Sequence, residues 1–104
     1  MAKRKLDMSK MAENAEQAAA LLKQLSNQNR LLILCTLMDE EHSVGELNQL
    51  IPLSQSALSQ HLASLREADL VDTRRESQTI YYKLKGDRAQ QVIELLHSMY
   101  CSEL

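Results

Sequence analysis

The sequence has 104 residues, a length that fits one domain. It is 44% hydrophobic and 25% charged, which is typical of a folded globular domain and excludes a chain that is disordered throughout. Two glycines, one proline and neither Phe nor Trp exclude Gly-rich phosphate loops and an aromatic platform for unpaired bases. The net charge of −2 gives no indication of a polyanionic partner.

The dominant residue types favour helix, and no apolar run is long enough to span a membrane. The N-terminus lacks the apolar core of a signal peptide, so we expect a soluble cytoplasmic protein forming one domain over residues 1–104. Two cysteines in that compartment do not predict a structural disulfide framework.

The N-terminal part combines charge with a helical apolar stripe. Residues 1–10 carry four basic side chains against one acid and predict a small flexible arm, either a solvated tail or a segment that touches nucleic acid. The stripe that follows has alternating steps of three and four and consists of Met8, Met11, Ala15, Ala18, Leu22 and Leu25. This spacing predicts a helix that packs on its own core or, as the coiled-coil-like repeat favours, on a second subunit.

Residues 26–29 break that helix and begin another. Residues 31–38 are apolar except Thr36, which predicts a central helix that is buried all round. Residues 39–42 form a predicted polar loop. A capping box of Ser43 and Glu46 then opens a short third helix.

The third helix ends early because Ile51 precedes Pro52, and the residue before a proline disfavours helical backbone. Ser54 caps a fourth helix. The inner face of this helix is apolar and consists of Leu58, Leu62 and Leu65.

Two extended segments follow, at residues 70–75 and 79–84, with a hairpin tip at 76–78. A last apolar-faced helix comes after Gly86 and Asp87. The order α-α-α-α-β-β-α, mainly helical with a β-hairpin wing, is that of a winged helix-turn-helix domain.

The fourth helix is the candidate recognition helix. Its outer face is neutral and polar and comprises Gln55, Ser56, Ser59 and Gln60, with His61 beside them. Such side chains suit base edges in a major groove, although a solvated polar face has the same pattern. Arg74 and Arg75 stand where a wing would follow the phosphates.

Several motifs resemble those of the ArsR/SmtB repressors, and together they cover nearly the whole chain. They are NQNRLLILCTL (Asn27–Leu37), SVGEL (Ser43–Leu47), LSQSALSQHLASLREADLV (Leu53–Val71) and TRRESQTIYYKL (Thr73–Leu84). The resemblance implies a homodimeric transcription factor, joined through its first and last helices, that binds double-stranded DNA at a symmetric operator. A helical adaptor that uses the same fold for protein contacts is an alternative, and it predicts no salt-dependent DNA binding.

Many members of that family sense metals. One metal site of that family uses cysteines in the helix before the recognition helix. The matching segment here, Ser43–Leu47, contains no cysteine. In the second family site, Ala89 and Tyr100 replace histidines, which leaves Asp87 and Glu103, too few ligands for zinc. We therefore expect no metal and no cofactor, and a metal-responsive repressor is the weaker alternative. The chain also lacks a catalytic constellation, so we expect no enzyme.

Cys35 and Cys101 are either small buried hydrophobic residues or a functional pair. Their sequence surroundings resemble a thiol-switch branch of the same family. In that branch two thiols react with sulfur species or other oxidants and become linked within one subunit, and DNA affinity falls. His97, one turn before Cys101, is either a residue that helps to hold a thiolate or an ordinary surface imidazole. Members of the branch either relieve silencing of virulence genes or repress sulfide-detoxification genes, and the sequence leaves both outputs open.

Overall fold

A computed structural model of the protein describes residues 7–100. Within these residues the elements are α1 (Met8–Leu25), α2 (Gln28–Leu37), β1 (His42–Ser43), α3 (Val44–Leu50), α4 (Gln55–Glu67), β2 (Val71–Glu76), β3 (Thr79–Leu84) and α5 (Arg88–Tyr100). The predicted winged helix-turn-helix fold is confirmed, with one strand added. Most of the predicted basic arm, Cys101 and Glu103 lie outside the described residues.

The wing belongs to a three-stranded antiparallel sheet in the order β1-β3-β2. The prediction of a plain polar loop at residues 39–42 was wrong at its end, because His42 pairs with Tyr82 in β1. A two-residue strand has no periodicity that a sequence pattern can detect. The hairpin turn is also tighter than predicted, because Glu76 still pairs with Thr79. The short strand β1 ties the start of α3 to the wing.

The core lies between the helices and the base of the sheet. It is apolar throughout and consists of Leu25, Ile33, Leu34, Leu37, Leu47, Ile51, Leu58, Leu62, Leu65, Leu70, Val71, Ala89 and Ile93. The three predicted inner leucines of α4 are all completely buried. Burial of each such side chain contributes about 1.5–3 kcal/mol to folding, so this cluster fixes how α4 sits on the domain.

Helix α2 corrects one prediction. It is not buried all round, because Leu32 is 40% exposed and Cys35 is also exposed. Only one side of the helix faces the core, through Ile33, Leu34 and Leu37. An apolar run shows that a helix is suited to burial, but a single chain of this size covers only part of its surface.

Helices α1 and α5 also expose apolar side chains. Leu25 is the one buried residue in α1, while Met8 and Leu22 are more than half exposed. In α5, Leu95, Met99 and Tyr100 are similarly exposed. The stripe of α1 is therefore largely uncovered by the chain's own core. In the part of the chain that the structure describes, no helix is both long and apolar enough to cross a membrane.

Candidate nucleic-acid interface

Local hydrogen bonds set the geometry of the helix-turn-helix. The predicted capping box is present: the Glu46 amide donates to Ser43 Oγ (3.1 Å), and the Ser43 amide donates to Glu46 Oε1 (2.9 Å). Ile51 ends α3 with extended backbone before Pro52, as predicted. In the turn, Asn48 Nδ2 donates to the Leu53 carbonyl (2.7 Å), which fixes the path of the chain from α3 into α4.

Helix α4 turns its predicted polar face outward. Ser54 Oγ accepts a hydrogen bond from the Ala57 amide (3.2 Å) and caps the helix. The exposed residues in its first two turns include the four predicted outward-facing positions Gln55, Ser56, Ser59 and Gln60. At its other end Asp69 adopts a left-handed backbone (φ 67°), and the Leu70 amide donates to the Leu65 carbonyl (3.0 Å). This Schellman motif leads directly from α4 into β2.

His61 differs from the other candidate positions because it is half-buried and bonded within the chain. Its Nδ1 accepts a hydrogen bond from Arg30 Nε (3.2 Å). Arg30 Nη1 also donates to Gln24 Oε1 (3.0 Å), and Ser64 Oγ donates to the same oxygen (3.0 Å). Sequence reasoning missed this network, because it joins residues far apart in the chain and carries no local pattern.

Arg74 lies on the wing in contact with two carboxylates. Its Nε donates to both oxygens of Glu41 (2.7 and 3.0 Å), and a second nitrogen also contacts Glu41. Its Nη1 donates to Glu76 (3.0 Å), and the guanidinium lies 4.6 Å from the centre of the Tyr81 ring. The hydrogen bond from Arg74 lowers the pKa of Glu41, and the bonds to Glu41 and Glu76 raise the pKa of Arg74. This pairing braces the wing against the segment before β1.

The other basic side chains of the wing have different surroundings. Arg75 is exposed, and its Nε donates to the Ser77 carbonyl (3.2 Å). Lys83 is exposed on β3. Lys85 Nζ lies 2.7 Å from Asp69 Oδ1, and this hydrogen bond lowers the pKa of Asp69. Positive charge on the wing is thus partly compensated and partly open to solvent.

Cys35 lines a small recess between α2 and α5, which we call the thiol recess. Its volume is about 170 Å³, and its walls are almost entirely apolar. The lining side chains are Leu31, Cys35, Ile93, Leu96, His97 and Tyr100. Cys101 follows Tyr100 directly in the sequence but lies outside the described residues. Among residues 7–100, no three His, Cys, Asp or Glu side chains form a cluster that could hold a metal ion.

Comparison with known proteins identifies the family. The profile described as "Bacterial regulatory protein, arsR family" matches residues 27–73, from α2 into β2. The transcriptional activator HlyU of Vibrio cholerae is 51% identical, over 92% of this chain and 89% of its own length. The chain belongs to the ArsR family. A biofilm growth-associated repressor of Agrobacterium fabrum is 46% identical, over 88% of this chain and 79% of its own length.

Solved structures of HlyU and of a possible ArsR-family regulator have the same fold. Reduced HlyU from V. cholerae matches with a TM-score of 0.83 at 53% identity, covering 88% of this chain and 97% of that one. A homodimeric winged helix-turn-helix DNA-binding domain from Mycobacterium bovis matches with a TM-score of 0.78 at 27% identity, covering 100% of this chain and 94% of that one. The ArsR-family chain described here is accordingly a transcription regulator of HlyU-like type, and not an enzyme.

Proposed function

We propose that this regulator binds a symmetric DNA operator as a homodimer and that a Cys35–Cys101 dithiol controls its DNA affinity. Reaction of the dithiol with reactive sulfur species or another oxidant lowers that affinity. The observation that carries the proposal is the position of Cys35. It lines the thiol recess together with Tyr100, the neighbour of Cys101 in the chain.

Base recognition is assigned to Gln55, Ser56, Ser59, Gln60 and His61 on α4. A glutamine can pair with adenine through its amide, and serine hydroxyls accept several base edges. The first turns of a recognition helix are the part that enters the major groove. The exposure of this polar face, beside a wing that carries Arg74 and Arg75, supports the assignment. The phosphate contact is assigned first to the exposed Arg75. Arg74 pairs with Glu41 and Glu76, and it would have to leave these carboxylates to contact a phosphate.

Dimerisation is assigned to α1 and α5. Their exposed apolar side chains favour a partner surface, since burying them in a second copy removes them from water. The homodimeric M. bovis domain shares the fold over nearly its whole length, which supports the same assembly here. Two copies would present two α4 helices to successive major grooves of a symmetric site.

The geometry around the thiol recess supports the switch. Cys35 and Tyr100 line the same recess, and Cys101 follows Tyr100 in the sequence. A direct disulfide requires that the two cysteine Cα atoms come within about 7 Å of each other. As the sulfur–sulfur bond forms, two thiols lose two protons and pass two electrons to the oxidant. A longer sulfur bridge would relax the distance requirement. Either bond ties α2 to the end of α5 and changes how the two recognition helices are spaced.

We assign the protein to the cytoplasm. There, its effect on transcription would depend on how much of the operator it occupies. The relatives include an activator and a repressor at similar identity, and both outputs need only a change in operator occupancy. Within this proposal the chain is a HlyU-like regulator of virulence genes, and the 51% identity to HlyU supports the HlyU-like part.

A gel-shift experiment tests the switch. The reduced wild type, Cys35→Ser and Cys101→Ser are each incubated with a persulfide donor and then with a reductant. The wild type should release operator DNA reversibly, and both variants should stay bound, because one thiol cannot form the intramolecular link. Zinc should have no comparable effect. Release of DNA by the variants to the same extent as by the wild type would refute the dithiol switch.

Binding curves on operator and scrambled DNA test the recognition face. Gln60→Ala should weaken operator binding by about 1–3 kcal/mol and leave binding to scrambled DNA nearly unchanged. Equal weakening on both DNAs would show that Gln60 does not read sequence. The control is Gln49→Ala, on the exposed side of α3, which should alter neither curve.

A further inference from the structure

One guanidinium connects three helices beneath the recognition face. Arg30 lies in the first turn of α2 and is half-buried. It donates to His61 Nδ1 on α4 (3.2 Å) and to Gln24 Oε1 on α1 (3.0 Å). Gln24 Oε1 in turn accepts from Ser64 Oγ, one helical turn beyond His61. Helix α4 is therefore held by two polar contacts in addition to its apolar face.

The bond between Arg30 and His61 determines which nitrogen of the imidazole carries the proton. A guanidinium only donates hydrogen bonds, so Nδ1 of His61 acts as the acceptor and carries no hydrogen. The proton of the imidazole then lies on Nε2. His61 thus has a fixed hydrogen-bond donor at Nε2, and a donor suits the N7 and O6 atoms of guanine, O4 of thymine or a phosphate oxygen.

We propose that Arg30 is a positioning residue for DNA recognition, which fixes His61 as the Nε2-protonated tautomer and orients the outer turns of α4. The inference rests on the proposed role of α4 as the recognition helix. Arginine suits this task because its planar fork can reach two acceptors on different helices at once, whereas lysine offers a single flexible charge. Arg30 acts on DNA through His61 and touches no base itself.

The first experiment observes the imidazole directly. Nitrogen-15 NMR of the DNA-free protein reports which ring nitrogen of each histidine is protonated. For His61 of the wild type we expect protonation at Nε2 only, and for Arg30→Met, which has a side chain of similar reach and no donor, a mixture of both tautomers. A wild-type His61 that is protonated at Nδ1, or a tautomer unchanged in Arg30→Met, would overturn the proposal.

The second experiment measures the ratio of operator to scrambled-DNA affinity. Arg30→Met should lower the ratio about fivefold to tenfold, a loss of the size expected for one ordinary hydrogen bond. Arg30→Lys retains the charge but not the fork and should lower the ratio in the same direction. Arg30→Lys replaces Arg30→Met as the test variant if urea titration shows that Arg30→Met is unfolded without denaturant.

A double-mutant cycle separates positioning from general destabilisation. His61→Asn places an amide group near the former Nδ1 but removes the Nε2 donor. In that background, Arg30→Met should lower the ratio less than twofold further, because the route from residue 30 to DNA is already lost. If the double variant instead lost the product of the two single-variant losses, the proposal would be overturned. If Gln60→Ala and His61→Asn change the ratio but Arg30→Met does not, only the inference about Arg30 fails. If none of the three changes the ratio, α4 is not the recognition helix.

Discussion

Arg74 and Arg75 are adjacent on β2, and successive side chains on a strand point to opposite faces of the sheet. Both side chains are exposed, but the Arg74 guanidinium pairs with two carboxylates, whereas Arg75 donates to a backbone carbonyl. We predict that Arg75→Ala weakens binding to all DNA sequences alike and reduces the salt dependence of the binding constant by about 0.9 per subunit. Titrations of operator and scrambled DNA at several salt concentrations measure this. Arg75→Lys retains the charge and should keep most of the slope, and an unchanged slope in Arg75→Ala would argue against phosphate contact.

Glu41 should make the stability of the domain depend on pH. Arg74 lowers the pKa of Glu41 in the folded chain below its ordinary value of 4.5, so the carboxylate stabilises the fold at pH values above that unfolded pKa. That stabilisation disappears as the pH falls through the lower, folded pKa. Glu41→Gln should therefore unfold at lower urea concentration than the wild type at neutral pH, and the two should converge under acidic conditions. A difference that persists in acid would mean that the ionised pair is not its source.

At the level of elements, α3 depends on its first turn. The helix has only seven residues, and its capping box supplies two hydrogen bonds at its N-terminal end. Ser43→Ala should lower the free energy of unfolding by about 1 kcal/mol. Urea titration measures the loss. Gln49→Ala, on the exposed side of the same helix, should be neutral or slightly stabilising because alanine is the better helix former.

The elements that the sequence predicted best are those with local signals. The capping residue Ser43, the break at Pro52 and the leucine face of α4 all act within a few positions, and the structure has each of them. The features that the sequence did not predict depend on contacts between residues far apart in the chain. Strand β1 exists because His42 meets Tyr82, and the Arg30–His61 bond joins two separate helices. A sequence pattern shows which residues suit burial, hydrogen bonding or solvent, but it does not show which partner will be present.

The same reasoning explains why α2 was predicted to be buried. Its apolar residues lie on both sides, yet one chain covers only the side that faces the core. The exposed side carries Cys35 in the thiol recess, against α5. Since α5 is also assigned to the dimer interface, a bond formed in this recess would act close to the surface that sets the spacing of the two subunits. The sensor and the assembly of the proposed regulator would then share one region of the molecule.

For the whole molecule, the decisive prediction concerns α1. Leu22 is 57% exposed in the single chain and lies on the apolar stripe that we assign to the partner subunit. Leu22→Glu would place a carboxylate in an apolar interface, where an unpaired charge is strongly unfavourable. We expect the wild type to sediment as a dimer at micromolar concentration and Leu22→Glu as an 11.8 kDa monomer with weakened operator binding.

Lys23→Gln is the matched control for the dimer. It changes the net charge by the same amount at the adjacent position, about 100° around the helix and off the stripe. This variant should remain dimeric, because its side chain points away from the assigned interface. If Leu22→Glu sedimented as the wild type does, the α1 stripe would not be part of the dimer interface. If both variants dissociated, negative charge on α1 rather than loss of apolar packing would explain the effect. Only dissociation of Leu22→Glu alone supports an interface built on the exposed apolar side chains of α1 and α5.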